Sequence, residues 1–156
     1  MDDYALTAAE RKLLQALSDR GVRFLIVGMG AAVLEGAPVS TVDLDLWFES
    51  ATDERIRLAA RDAGGTWISG FGLGPPGFGG RGLDRIDVVL TAQGLGPFAE
   101  EYAGGKEIDL DGVRVRILPL ERIIASKRTA NRPKDLAQMP ALEATLAARK
   151  NESRDE

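Results

Sequence analysis

Residues 22–49 read VRFLIVGMGAAVLEGAPVSTVDLDLWFE, and this stretch constrains the chain more than any other. An apolar run from Val22 to Val27 has strand length and stops at Gly28-Met29-Gly30. An Ala-rich helical piece leads to Gly36, and a second apolar run carries Asp43-Leu44-Asp45-Leu46. Side chains on a strand alternate between faces, so Asp43 and Asp45 project to one side while Val42, Leu44 and Leu46 project to the other. Two like charges on neighbouring same-face positions repel each other and resist desolvation, so the pair is costly unless a cation or solvent compensates it. A divalent metal supplies that compensation.

The flanking sequence reads as alternating elements. Thr7-Ala8-Ala9-Glu10 has capping-box spacing, Leu13, Leu14 and Leu17 form a stripe, and Gly21 stops the turn, predicting a helix over residues 8–20. Thr52 is placed to cap a helix over residues 53–63, which Gly64-Gly65 ends before a short strand at residues 66–69. Residues 70–82 hold seven Gly and two Pro, predicting a mobile loop without regular structure. Within it, Phe71, Phe78 and Arg81 are its groups for contacting a substrate, against the plainer reading of a linker.

Residues 85–90 read as a strand in which Asp87 is the one acid in an apolar setting, and a buried isolated carboxylate needs a partner. One or two helical turns follow at residues 97–102. Asp111-Gly112 then joins two alternating runs as a two-residue hairpin. Pro119 opens a helix with Leu120, Ile123 and Ile124 on one face, ending near Lys127 and Arg128. A last helical region reaches about Arg149 with Pro140 breaking it, and residues 151–156 read as a disordered polar tail. The expectation is one α/β or α+β domain over residues 1–150, its mixed sheet covered on one face by helices.

Composition narrows the chemistry. There is no Cys and no His among the 156 residues, which excludes Cys/His zinc sites, imidazole bases and Ser-His-Asp or Cys-His triads. Carboxylates, Lys, Arg, hydroxyls and oxygen-bound metals remain. A net charge of −4 does not mark a nucleic-acid binder in bulk, although Arg114, Arg116, Arg122, Lys127, Arg128, Arg132 and Lys134 gather in the C-terminal part. The N-terminus lacks a signal sequence and no apolar run reaches bilayer-spanning length, so a cytoplasmic protein without membrane contact is the expectation. If the strand bearing Asp87 lies beside the one bearing Asp43 and Asp45, three carboxylates meet on one sheet face. Such a set suits Mg²⁺, as one ion or two, together with phosphate oxygens. Gly28 at the strand-to-helix turn lets phosphate approach backbone N–H groups.

The run Gly28-Met29-x-Ala31, Gly36, Pro38, Thr41, Asp43-x-Asp45 resembles the signature of the DNA polymerase β-like nucleotidyltransferase superfamily, in particular its small bacterial single-domain members. Gly112-Val113-Arg114-Val115, Leu120-Glu121, Ile124, Lys127 and Arg132-Pro133-Lys134-Asp135-Leu136 resemble their closing segment. The resemblance implies a mixed sheet, Mg²⁺, and transfer of a nucleoside monophosphate from a nucleoside triphosphate to a hydroxyl on RNA, protein or a small molecule. It implies Asp43, Asp45 and Asp87 as metal ligands, with Asp87 also the base, and Gly28, Met29, Gly30, Thr41 and Lys127 as nucleotide contacts.

Two alternatives stand beside this reading. Met29 replaces a small residue of the phosphate turn, where it would crowd a triphosphate; a degenerate nucleotidyltransferase-like binding or regulatory module with a partner protein, of toxin-antitoxin type, follows from that. Gly28-x-Gly30-x-x-Val33 with Glu49 downstream also matches part of a dinucleotide fingerprint, though its third small residue is missing.

Overall fold

The computed structural model describes residues 5–41, 43–70 and 74–155. Val42 and Phe71, both given positions by the sequence reading, lie outside them. The elements in order are α1 (Ala8–Asp19), β1 (Phe24–Val27), α2 (Gly28–Leu34), β2 (Leu44–Phe48), α3 (Glu54–Asp62), β3 (Thr66–Ile68) and β4 (Gly77–Gly79). Then come β5 (Ile86–Val89), α4 (Phe98–Ala103), β6 (Lys106–Leu110), β7 (Val113–Ile117), α5 (Leu120–Ala130) and α6 (Pro133–Asp155). Among the described residues no helix is long and apolar enough to cross a membrane.

Five strands form one mixed sheet in the order β5-β2-β1-β7-β6, and β3-β4 form a separate ribbon. β1 pairs antiparallel with β2 and parallel with β7, while β2 pairs parallel with β5. The dinucleotide alternative fails here: its fingerprint requires a crossover helix between parallel strands, and the strands flanking Gly28 run antiparallel.

Local chemistry explains most boundaries. Thr7 Oγ1 accepts from Glu10 N at 3.0 Å and Thr7 N donates to Glu10 Oε1 at 2.8 Å, closing the capping box of α1. The buried Glu10 carboxylate also receives Arg85, at 2.7 and 2.8 Å, which ties the helix to the root of β5. Asp111 and Gly112 both take positive φ, 51° and 89°, as a two-residue hairpin turn requires. The cap of α3 is Asp53 rather than Thr52, its carboxylate accepting from Arg55 N at 3.0 Å.

Alternate residues of β2, Leu44, Leu46 and Phe48, are buried in register with Phe24, Ile26 and Ile86. Leu13 and Leu17 of α1 and Ile56 and Ala60 of α3 join the same core. On the opposite face Trp47 meets Phe98 of α4 edge-on at 5.4 Å. Phe98 stacks on Tyr102 at 5.6 Å, and the Arg23 and Arg116 guanidiniums lie over Tyr102 at 5.4 and 4.9 Å. α4 thus adds partial cover to the second face and leaves the β2-β5 part of it open.

Three expectations are corrected. Residues 70–82 are not wholly irregular, because Gly77-Phe78-Gly79 pairs with Thr66–Ile68. The entropic cost of ordering glycines there is offset by burial of Phe78, whose ring packs 4.8 Å from Trp67 and 6.1 Å from Phe48. Phe78 is therefore a core residue, not a substrate contact; Arg81 is exposed. Pro140 does not break the last helix. It sits inside α6 on an exposed position, and Leu136, whose carbonyl loses its bond to residue 140, is also exposed. With no Gly or further Pro to stop it, α6 continues to Asp155 instead of giving way to a disordered tail at residue 151.

Candidate functional site

β1 ends at Val27, and Gly28 turns the chain into α2 with φ +67°, a left-handed conformation suited to glycine. Asp45 lies opposite Val27 in the β1-β2 register, beside that turn. A Cβ on Gly28 would overlap Asp45 Oδ2, so glycine is required here by backbone conformation and by the carboxylate's position together. Asp45 in turn pairs in register with Asp87 across the parallel strands β2 and β5. Partner residues on neighbouring strands share a face at a spacing of about 4.8 Å, so both carboxylates project to the same side. Asp43 precedes β2 instead of lying within it; its N–H donates to Thr41 Oγ1 at 3.1 Å.

These three acids line a cleft of about 550 Å³ between the open part of the sheet and α5. Val27, Gly28 and Val89 contribute to its floor, and Ile123, Ser126, Lys127 and Ala130 face it from one side of α5. Arg132, from the turn between α5 and α6, and Lys134, in the first turn of α6, complete the charged wall. Asp87, on the edge strand of the sheet, is exposed to this cleft and not buried in an apolar setting.

The cleft raises the cost of negative charge. Burial first, then the neighbouring Asp87 and Asp43 carboxylates, push Asp45 up to about 6, against an opposing pull from Lys127 and Lys134. Asp87 is raised as well, by burial and by Asp43. On the opposite wall Lys127 is buried and its Nζ lies 3.2 Å from Asp135 Oδ1. Asp135 is fully buried, receiving Arg132 Nε at 2.7 Å and the Arg132 backbone N–H at 3.1 Å. The Arg132 hydrogen bonds, with Lys127 behind them, hold its carboxyl down at about 2. Its partners are thus Arg132 and Lys127, while Lys134 has no ion-pair partner among the described residues.

The structure accordingly brings Gly28, Asp43, Asp45, Asp87 and Lys127 together and leaves three expected contacts out. Met29 is half-buried and packs against the core, Gly30 is buried within α2, and Thr41 supports the Asp43 backbone; none of these lines the cleft. The C-terminal cations also separate. Arg122 pairs with Glu101, Arg128 with Glu143 and Arg114 with Glu107, and Arg116 donates to the Tyr102 and Gly105 carbonyls, whereas Lys127, Arg132 and Lys134 line the cleft. The sequence reading missed the neutral wall formed by Thr91, Ala92, Gln93 and Leu95, for which the Gln93-Gly94 pair just beyond a strand is the available turn signal.

Among the described residues no group of three or more acidic side chains is arranged to hold a metal ion as it stands. The donor chemistry nonetheless fits a hard cation: two paired, partly desolvated carboxylates, a third alongside, and no nitrogen or sulfur ligand. Mg²⁺ characteristically takes one or two carboxylates and completes its shell with phosphate oxygens and water. Compared with known proteins, the chain matches no family model and no curated sequence.

Proposed function

We propose that the chain is a Mg²⁺-dependent nucleotidyltransferase that moves a nucleoside monophosphate from a nucleoside triphosphate to a hydroxyl. The observation that carries this is the in-register pair Asp45–Asp87 beside Gly28, facing Lys127, Arg132 and Lys134 across one cleft. A site with acids on one wall and cations on the other suits a polyanion that arrives with a divalent cation. Met29 packs against the core and does not line the cleft, which supports the catalytic reading over that of a degenerate relative.

In this reading Lys127, Arg132 and Lys134 hold the triphosphate and balance its charge. Asp43 and Asp45 hold Mg²⁺, which when bound neutralises phosphate oxygens and acidifies the acceptor hydroxyl. Asp87, whose proton affinity is raised by its surroundings, takes the hydroxyl proton. The acceptor oxygen forms a bond to the α-phosphorus, the bond from that phosphorus to the oxygen bridging it to the β-phosphate breaks, and pyrophosphate leaves with that electron pair. Asp135 touches no reactant. It positions Lys127 and Arg132 through its buried hydrogen bonds.

The test is calorimetric titration of ATP, GTP, CTP and UTP with and without Mg²⁺, followed by transfer of α-labelled nucleotide to acceptors in cell extract. At least one triphosphate binds only with Mg²⁺, and Asp43→Ala and Asp45→Ala abolish that binding. Asp87→Asn binds nucleotide and transfers no label. Absence of binding by every triphosphate, or full transfer by Asp87→Asn, would overturn the reading or the base assignment respectively.

A further inference from the structure

The cleft has a second chemical character that the transfer reaction does not use. Beyond Asp87, the β5 chain passes Val89 and reaches Thr91, Ala92 and Gln93, all on the cleft wall. At roughly 3.3 Å per residue this carries the lining up to about 13 Å from Asp87 to Thr91. The lining segment Thr91, Ala92, Gln93 and Leu95 carries no charged side chain, and among the described residues no aromatic ring lines the cleft. Thr91, Gln93 and, across the gap, Ser126 supply its neutral hydrogen-bonding side chains. None of these three makes a side-chain hydrogen bond among the described residues.

Gln93 is also held in place by its backbone. Leu95 N donates to Ala92 O at 3.4 Å, closing a β-turn with Gln93 and Gly94 at its corners. Gly94 has φ +74° and Gln93 has no positive φ, the pattern of a type II turn, which requires glycine at the second corner. The Gly94 backbone is packed onto α5: a Cβ there would overlap Thr129 Oγ1 and lie 3.1 Å from Ala125 O. The next segment is anchored as well, since Gly96 N donates to Glu101 Oε2 at 2.8 Å and Glu101 is bridged to Arg122 of α5 at 2.6 Å. The turn therefore presents from a fixed corner of the cleft wall an amide with no side-chain hydrogen bond among the described residues, one donor group and one acceptor.

We infer that Gln93 reads the hydrogen-bonding edge of the nucleobase, with Thr91 and Ser126 beside it, and so determines which nucleoside triphosphate is accepted. This rests on the nucleotidyltransferase reading and adds to it the residue that selects among bases. An amide offers a donor and an acceptor in one plane, the arrangement that distinguishes base edges.

The test is calorimetric titration of the full chain, with Mg²⁺, against ATP, GTP, CTP, UTP and inorganic tripolyphosphate, in wild type, Gln93→Ala and Gln93→Glu. The wild type favours one nucleotide. Gln93→Ala weakens that nucleotide by about three- to tenfold, the loss of one neutral hydrogen bond, and leaves tripolyphosphate affinity unchanged. Gln93→Glu, which loses the donor and keeps the size, changes the order of preference. Gln93 is exposed and its replacement leaves the fold intact, which thermal melting verifies. The inference is overturned while the functional reading stands if both variants keep the wild-type ratios, or if the wild type binds all four nucleotides no better than tripolyphosphate. If the wild type binds neither nucleotides nor tripolyphosphate, the functional reading itself falls.

Discussion

Asp45→Asn is expected to make the protein more stable at neutral pH, because Asp45 is held at a position that penalises its charge. Its folded-state value is about 6 against an ordinary 3.8. Between those values the folded protein binds more protons than the unfolded chain, so stability falls as pH rises through that window and is flat above it. At about 1.4 kcal/mol per pKa unit the full gap corresponds to about 3 kcal/mol, and solvent screening in an open cleft reduces this to about 1–2 kcal/mol. For a chain of this size that is a rise in Tm of about 2–8 °C. The assay is thermal and urea unfolding of wild type and Asp45→Asn in chelator at pH 7.5, repeated at lower pH. The variant's advantage narrows toward zero as pH falls to about 4, where Asp45 is largely protonated in the folded protein and the charge penalty is gone. Adding Mg²⁺ with nucleotide then raises the wild type and not the variant, since only a ligand that binds the folded form stabilises it. A variant no more stable than wild type at pH 7.5 without divalent cations, or an advantage independent of pH, would refute the electrostatic argument.

The buried Asp135 behaves in the opposite sense. Its value is depressed to about 2, so its contribution is present above 3.8 and lost as pH falls from 3.8 toward 2. Asp135→Asn leaves Lys127 buried without its counter-charge and is expected to cost about 3 kcal/mol in urea unfolding at pH 7; a loss below about 1 kcal/mol refutes that account. Gly28→Ala meets a left-handed φ worth about 1–2 kcal/mol and displaces Asp45, so melting temperature and Mg²⁺-nucleotide affinity fall together; unchanged values in both refute it. Phe78→Ala removes a ring from the Phe48–Trp67 cluster and is expected to cost about 3–5 kcal/mol with nucleotide affinity of the folded fraction unchanged. Weaker binding without lost stability would return Phe78 to the ligand side.

What the sequence alone determined were the local instructions. Strand periodicity and the glycine turn located β1 and β2, Thr7 and Glu10 located the start of α1, and Asp111-Gly112 located the hairpin. These are settled by neighbours in the chain, through steric limits on φ and by side chains within reach of nearby backbone groups. The meeting of Asp45 with Asp87 was legible only as a condition, because pairing between strands separated by forty-odd residues depends on how the whole sheet assembles. Only tertiary structure decided that Phe78 packs in the core, that Met29 turns from the cleft, that Asp135 takes Lys127 as well as Arg132, and that a neutral wall rises beyond Asp87. Each depends on how distant elements pack: which face a side chain presents becomes fixed once those elements are in place, and no local pattern records that.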